Sequence, residues 1–463
     1  MSWFVYPTIL AQAHDMVSHL GSILAATPIS NGVAKNIEVT ETPLDIMRKF
    51  TADQVMSPYI YVFYISFIIS FIFTPIMRVV AVHFGVIDQP DGLRKMHSKP
   101  VAYLGGVAVF LGWLAGLAFS QFLGTHAPDD AKMQAHIHVY FSIIAGAIVV
   151  IVLGLWDDLK GVKPLGKILG QAVAASFLLY EKIGTRCAVP LFEPINQRLM
   201  LYMHWQIPLV VITAFSWLLV FFIVVGCCNA TNLMDGLDGL CGGVTAIIAG
   251  GFLFLAVAIA QIGGGFNINL DGLRVVLALT LLGGVLGFVP FNFNPASIFM
   301  GDTGSMFLGY ACATMIVLSA QDAHPKWFLA SLVIFALPVL DTSLAFARRY
   351  VNKRKFFSAD RHHFHHQLVA RGFTVKQTVL ISYALALFFA AAGGAVVFMR
   401  TRYVAAFYLV IFGSLIVAAF KMGMVHEKLR VVDRQTVRNF DVSPAPEVTS
   451  DQVLEIRDEP KMQ

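Results

Sequence analysis

The sequence predicts an all-α polytopic membrane protein of about eleven transmembrane helices, with the N-terminus outside and the C-terminus cytoplasmic. Three observations predict it. The 463 residues are 57% hydrophobic and only 13% charged, against roughly 45–50% and about 25% in an average soluble domain. Mean hydropathy is +0.71. Apolar runs of about twenty residues, the length that crosses about 30 Å of hydrocarbon, recur along most of the chain. Together they exclude a disordered chain and argue against an ordinary soluble enzyme. The five cysteines contain no CxxC pair, so neither a zinc site nor a disulfide framework is expected. The net charge of +5 is read as basic cytoplasmic loops, with no nucleic acid as partner.

Residues 1–57 carry no Lys or Arg before Lys35. They lack the basic region of a secretory signal and are read as an extension outside the membrane. Met56, directly before the first apolar run, is a second candidate start. The transmembrane domain is expected at 58–422, with spans near 58–80, 104–123, 139–156, 165–182, 207–227, 240–261, 274–290, 304–320, 327–346, 375–398 and 403–422. The fourth carries Lys167 and Gln171 in its first turns. Residues 423–463 are polar, with Pro444 and Pro446, and read as a disordered cytoplasmic tail.

Orientation follows from Lys and Arg. The connections after the first, third and ninth spans, with the adjoining span ends, hold Arg78, Arg94, Lys95, Lys99, Lys160, Lys163, Lys167 and the run from Arg348 to Arg371. The even-numbered connections are sparsely basic. By the positive-inside rule the odd connections face the cytoplasm.

Five polar clusters fall on that same side. Asp157 and Asp158 end the third span; paired carboxylates repel unless a cation or proton lies between them. In NATNLMDGLDGL, Asn229, Asn232, Asp235 and Asp238 recur every three residues, a spacing that keeps neighbours on one helical face. Gly236 and Gly239 suggest a helix end there. FNFNPASIFMGDTGS holds Asn294 and places Asp302 in helix-cap-like surroundings, and Phe291 and Phe293 could stack on a base. Asp341 sits inside the ninth span, where a carboxylate must face the bundle interior; helix–helix hydrogen bonding is the bland explanation. His362, His363, His365 and His366 follow a run of Lys and Arg. With no ligand partners at zinc spacing, they suit anion contacts better than zinc. Acids, Asn, glycine turns and a basic-histidine segment are the parts that phosphoryl transfer needs, here with no Walker loop.

In order, GVIDQPDGLRKMHSKPVAYLGG, GLWDDLKGV, NATNLMDGLDGL, FNFNPASIFMGDTGSMFLG, PVLDT and HHFHH resemble the polyprenyl-phosphate N-acetylhexosamine-1-phosphate transferases, glycosyltransferase family 4. The His363, His365, His366 pattern is similar to the WecA/TagO branch and differs from the MurNAc-pentapeptide branch. The resemblance implies transfer of HexNAc-1-phosphate, with GlcNAc favoured, from a UDP-N-acetylhexosamine to undecaprenyl phosphate. UMP is released, and the product is the first lipid-linked intermediate of a cell-envelope polysaccharide such as O-antigen or teichoic acid. It implies a bacterial inner-membrane enzyme with its site toward the cytoplasm, needing Mg²⁺, with Mn²⁺ also suited. By the same resemblance, Asp302 is the metal ligand, assisted by Asn232. Asp157, Asp158 and Asp235 are the active-site acids. Lys167 contacts phosphate, and His363, His365 and His366 line the donor pocket. Asn229, Asp238 and Asn294 complete the candidate substrate-binding set. The bundle could also pair as a homodimer. The competing expectation is a transporter or lipid flippase using Asp341 and the histidines as a proton relay. It leaves the one-sided clustering unexplained, because transport sites lie near the midplane.

Overall fold

The computed structural model describes residues 51–89, 100–126, 139–262, 268–321, 324–353 and 363–421. The chain divides into two units, Met1–Lys49 and Phe50–Gln463, and the description concerns the second. Most of the N-terminal extension, the polar tail, residues 90–99 of the first basic loop and the basic run 354–362 with His362 lie outside the described residues.

In chain order the helices are α1 (Ala52–Met56), α2 (Ile60–His83), α3 (Gly105–His126), α4 (Phe141–Lys160), α5 (Pro164–Tyr180), α6 (Val189–Met203), α7 (Leu209–Met234), α8 (Leu240–Ile262), α9 (Ile268–Asn292), α10 (Gly301–Ser319), α11 (Pro325–Ile334), α12 (Ala336–Val351), α13 (Phe364–Ala370), α14 (Val375–Phe398) and α15 (Thr401–Lys421). Each apolar run read from the sequence coincides with helix. Among the described residues, seven helices are long and apolar enough to cross a membrane, or eight if α11 and α12 form one bent span. The all-α polytopic class stands; eleven crossings are more than length and composition alone support.

The burial pattern explains why the bundle belongs in lipid. On α2 the buried positions are Val62, Ser66, Ser70, Thr74 and Ala81, while Tyr61, Tyr64, Ile68, Phe71, Ile72 and Val79 are exposed. Small and polar residues face inward, large apolar ones outward, the reverse of a helix packed on an aqueous protein's core. The inward hydroxyls are satisfied: Ser66 Oγ donates to Gly112 O at 2.7 Å and Ser70 Oγ to Gly284 O at 2.6 Å. At the centre runs α10, buried along its length except at Asp302. Its Gly, Ala, Ser and Cys residues let α3, α4, α7 and α9 pack around it.

Three features differ from the sequence reading. Two-residue strands β1 (Ile87–Asp88) and β2 (Val101–Ala102) pair antiparallel, Ile87 opposite Ala102, and are too short for any alternation to show. Residues 189–203, read as part of a loop, form α6 with Pro190 in its first turn; their low hydropathy hid the helix. The ninth apolar run breaks at Phe335, and its two helices meet at 72°. That break turns α12, which carries Asp341, away from the direction of α11.

Candidate active site

The C-terminal ends of α4, α7 and α9 and the N-terminus of α10 converge at one end of the bundle. Close helix approach allows it. A Cβ on Gly154 of α4 would lie 2.4 Å from Thr303 Cα, so only glycine lets α4 reach the first turn of α10. Gly301 opens that turn with φ +71°, and its missing Cβ leaves room for the Asp158 carboxylate.

Asp158 spends both oxygens on this helix start. Oδ1 accepts from Asp302 N at 2.8 Å; Oδ2 accepts from Thr303 N at 3.0 Å and Thr303 Oγ1 at 2.6 Å. The cap of α10 is thus supplied by another helix, and α10's own N-cap residue, Met300, gives no side-chain cap. Asp302, in cap-like surroundings by sequence, is instead freed to point into the site. This is a carboxylate at the positive end of a helix dipole.

Asp157, the neighbour on α4, faces the other way. Its Oδ1 accepts from Val162 N at 2.7 Å, and its Oδ2 pairs with the Lys167 ammonium. Lys167 also reaches Asp302 Oδ2 at 2.6 Å. One ammonium therefore joins two carboxylates that would otherwise repel. The Asp302 side chain is 34% exposed and that of Asp157 only 8%, so Asp302 is the acid a ligand can reach.

From α7, Asn232 Nδ2 donates to Ser305 Oγ at 3.0 Å, and its amide lies close enough to Asp302 to help hold that carboxyl below its ordinary value, after Asp157 and Lys167. The three-residue series does not continue as helix: α7 ends at Met234, and Asp235 begins a turn. Asp235 is half-buried. Burial first, then the nearby carboxylates of Asp302, Asp158 and Asp238, push its carboxyl up to about 8. Asn229 lies one helical turn deeper. Its Nδ2 donates to Gln171 Oε1 and Val225 O, both at 2.7 Å, so its amide N–H groups serve the bundle interior. Asp238 and Asn294 are brought together but are engaged with each other: Asp238 Oδ2 accepts from Asn294 Nδ2 at 2.9 Å and Ala296 N at 3.0 Å. This bond fastens the DGLDG turn to the segment that leads into α10. Gly239 N donating to Asn292 Oδ1 at 3.0 Å and Tyr383 OH to Gly239 O at 2.6 Å hold the same turn. Phe291 packs on Phe71, ring centroids 5.0 Å apart, and Phe293 lies against Gly239; both rings already have protein neighbours.

The histidines reach this turn from α13. His363 and His365 are buried, and the His366 ring centroid lies 4.3 Å from that of His365. His363 pairs with Asp341 at 3.2 Å, so the buried acid of the ninth run meets the histidine segment and not a neighbouring helix. Burial, then the charge of His366, pushes the His365 imidazole down to about 3, leaving it neutral at pH 7.

Residues absent from the sequence-based set also belong here. Gln171, Thr303 and Ser305 support Asn229, Asp158 and Asn232. Tyr103 stands just after β2; burial, then Asp88 and the carboxylates of Asp158 and Asp235, hold its phenol well above the ordinary range. The hairpin carries Tyr103 to the acids and ties to the same segment, Phe299 N donating to Ala102 O at 2.8 Å. Only the polar interruption of an apolar run could have flagged Gln171. Nothing local flags Tyr103.

A family model described as glycosyl transferase family 4 matches residues 140–320, the stretch from α4 through α10. The chain is 31% identical over 384 residues to a protein of Bacillus subtilis named "Probable undecaprenyl-phosphate N-acetylglucosaminyl 1-phosphate transferase", covering 82% of this chain and 96% of that one. It is 31% identical over 363 residues to a decaprenyl-phosphate N-acetylglucosaminephosphotransferase of Mycobacterium tuberculosis, with coverage of 76% and 85%. A phospho-N-acetylmuramoyl-pentapeptide-transferase of a Geobacillus species is 29% identical over 347 residues, with coverage of 72% and 94%.

Proposed function

This chain belongs to glycosyl transferase family 4, and on that premise we propose that it transfers N-acetylglucosamine-1-phosphate from UDP-GlcNAc to undecaprenyl phosphate, releasing UMP. A lipid-phosphate oxygen attacks the β-phosphorus of the sugar nucleotide. The bond from that phosphorus to the bridging oxygen breaks, and the oxygen leaves with UMP. The observation that carries the reading is the Lys167 clasp of Asp157 and Asp302 beside Asn232 and Asp235. It is a set of oxygen donors and one cation on which a diphosphate can be held and its charge neutralised.

The donor chemistry fits a hard divalent cation. Asp302 and Asn232 offer oxygens, and Asp302 is accessible. Among the described residues no three His, Cys, Asp or Glu converge as a cage. A magnesium ion held by one or two carboxylates and completed by substrate phosphates needs no such cage; Mn²⁺ suits the same donors. Bound there, the ion would neutralise the transferring phosphoryl group. Lys167 does the same from the protein side. Asp158 is a positioning residue, because its oxygens orient α10. Asp157 orients Lys167 and is not needed as a base, since a phosphate monoester with a second pKa near about 6 is mostly dianionic at pH 7.

The reading includes eleven spans and an acidic site toward the cytoplasm of a bacterial inner membrane, as Lys and Arg distribution supports. The test is UMP release by purified protein in detergent with undecaprenyl phosphate, Mg²⁺ and UDP-GlcNAc. UDP-GalNAc and UDP-MurNAc-pentapeptide run in parallel, with EDTA and Asp302→Ala as controls. UMP formed only with lipid phosphate and metal supports the transferase. No UMP from any donor with folded protein sinks it.

A further inference from the structure

Asp341 is buried on α12 but stands apart from the acids around Asp302. Its two oxygens serve the start of α13. Oδ1 accepts from Phe364 N at 2.8 Å, and Oδ2 lies 3.2 Å from His363 Nδ1. The N-cap residue of α13 is His363, which makes no side-chain cap bond. The Asp341 carboxylate therefore supplies that cap from another helix. An ionised carboxylate only accepts, so the contact sets a proton on His363 Nδ1 and, in the neutral ring, leaves the lone pair at Nε2.

The next histidine is ordered through the same contact. The His365 ring lies parallel to that of His363, planes 7° apart and centroids 5.7 Å apart. His365 Nδ1 is 3.9 Å from Asp341 Oδ2. Its Nε2 is buried with no hydrogen-bond partner among the described residues. A Cβ on Gly236 would lie 2.5 Å from that nitrogen, and Gly236 directly follows Asp235. One chain of contacts thus runs from Asp341 through two imidazoles to the turn that bears Asp235. A buried ring nitrogen left without a partner is costly, and its place beside Gly236 points to a hydrogen-bonding partner supplied when the site is filled.

We propose that Asp341 is a positioning residue for the sugar-nucleotide side of the site: it holds the tautomer of His363 and seats His365 Nε2 against the Asp235–Gly236 turn. The proposal rests on the transferase reading. It also gives Asp341 a use on one side of the reaction, because its contacts among the described residues are with His363, Phe364 and His365. Loss of a residue that orients a metal-ligating histidine costs roughly ten- to a hundred-fold in affinity or activity, and a loss of the same order is expected for an oriented substrate-binding histidine.

Asp341→Asn is the discriminating variant. Its amide oxygen can still accept from Phe364 N–H. Its NH₂, however, must donate to His363 Nδ1 and so moves the ring proton to Nε2. In full-length protein in detergent, the expected result is a ten- to hundred-fold rise in KM for UDP-GlcNAc. Undecaprenyl-phosphate KM should be unchanged, and calorimetric UDP-GlcNAc binding without lipid should weaken equally. His363→Phe keeps a ring but cannot donate to Asp341 Oδ2; it should give the same signature, and the double variant should be no worse than either single. An unchanged donor KM in both variants overturns the proposal, as does an equal loss for both substrates or additive losses. If Asp341→Asn does not yield monodisperse protein, Asp341→Glu, which keeps the charge but displaces the carboxylate from His363 and Phe364 by one methylene, decides by the same donor-against-lipid split. Wild-type protein that releases no UMP overturns the transferase reading itself, a separate result from normal turnover in which Asp341 is silent.

Discussion

The carboxylate of Asp158 takes both the backbone N–H and the hydroxyl of Thr303, at 3.0 and 2.6 Å, across 145 residues of sequence. It fixes the first turn of α10 and therefore the direction in which Asp302 points. Asp158→Ala should lower thermal stability by about 0.5–2 kcal/mol, the cost of a lost helix cap. It should also reduce turnover by more than that destabilisation explains. Asp158→Asn keeps an acceptor oxygen and should retain more of both, as measured by melting temperature and UMP release on the same preparations.

Lys167 holds Asp157 and Asp302 on one ammonium. Lys167→Met keeps the chain length and removes the charge. A fall in kcat of roughly a hundred- to a thousand-fold is expected, the usual cost of removing one electrostatic stabiliser of a developing anion. A variant with unimpaired kcat would mean that the ammonium only braces the two acids.

Asp302 is the accessible acid of the pair. Chelation with EDTA should abolish UMP release, and Mg²⁺ should restore it in wild type. Asp302→Ala should stay inactive at any Mg²⁺ concentration while remaining monodisperse. Mg²⁺ should also raise the melting temperature of the wild type and leave that of the variant unmoved, which separates binding from catalysis.

Asp157 is read as orienting charge. Asp157→Asn should keep low but measurable activity, with an apparent pKa near about 6, that of the lipid phosphate itself. Recovery of the variant only under strong alkali would restore the role of general base.

Asp235 carries the pH signature of the metal-free protein. An ordinary carboxyl titrates near about 3.9, and burial with neighbouring acids raises this one to about 8. Between those values the folded chain holds a proton that the unfolded chain has released. Stability from this group is therefore complete below about 4 and is lost as pH rises toward about 8. In EDTA, the melting temperature of wild type should fall between pH 6 and pH 9 relative to Asp235→Asn. Parallel curves for the two proteins would contradict this.

The sequence by itself determined the membrane class, the positions of the long apolar helices and the gathering of acids, Asn and histidines at one end. Those signals are strong because hydrocarbon demands long apolar runs, so every polar interruption is conspicuous. It also carried six ordered motifs that point to one family. The tertiary structure decided what each polar side chain does. Asn229 and Asn232 are three residues apart on α7, yet one serves Gln171 in the bundle and the other Ser305 of α10. Asp157 and Asp158 are adjacent, yet one meets Lys167 and the other the backbone of α10. Asp238 and Asn294, both candidate ligand contacts, close on each other, and Asp341 finds its partner in His363. A carboxylate's role depends on which donor stands within about 3 Å of it. Those donors come from helices far apart in sequence, so only the packing of the bundle assigns them.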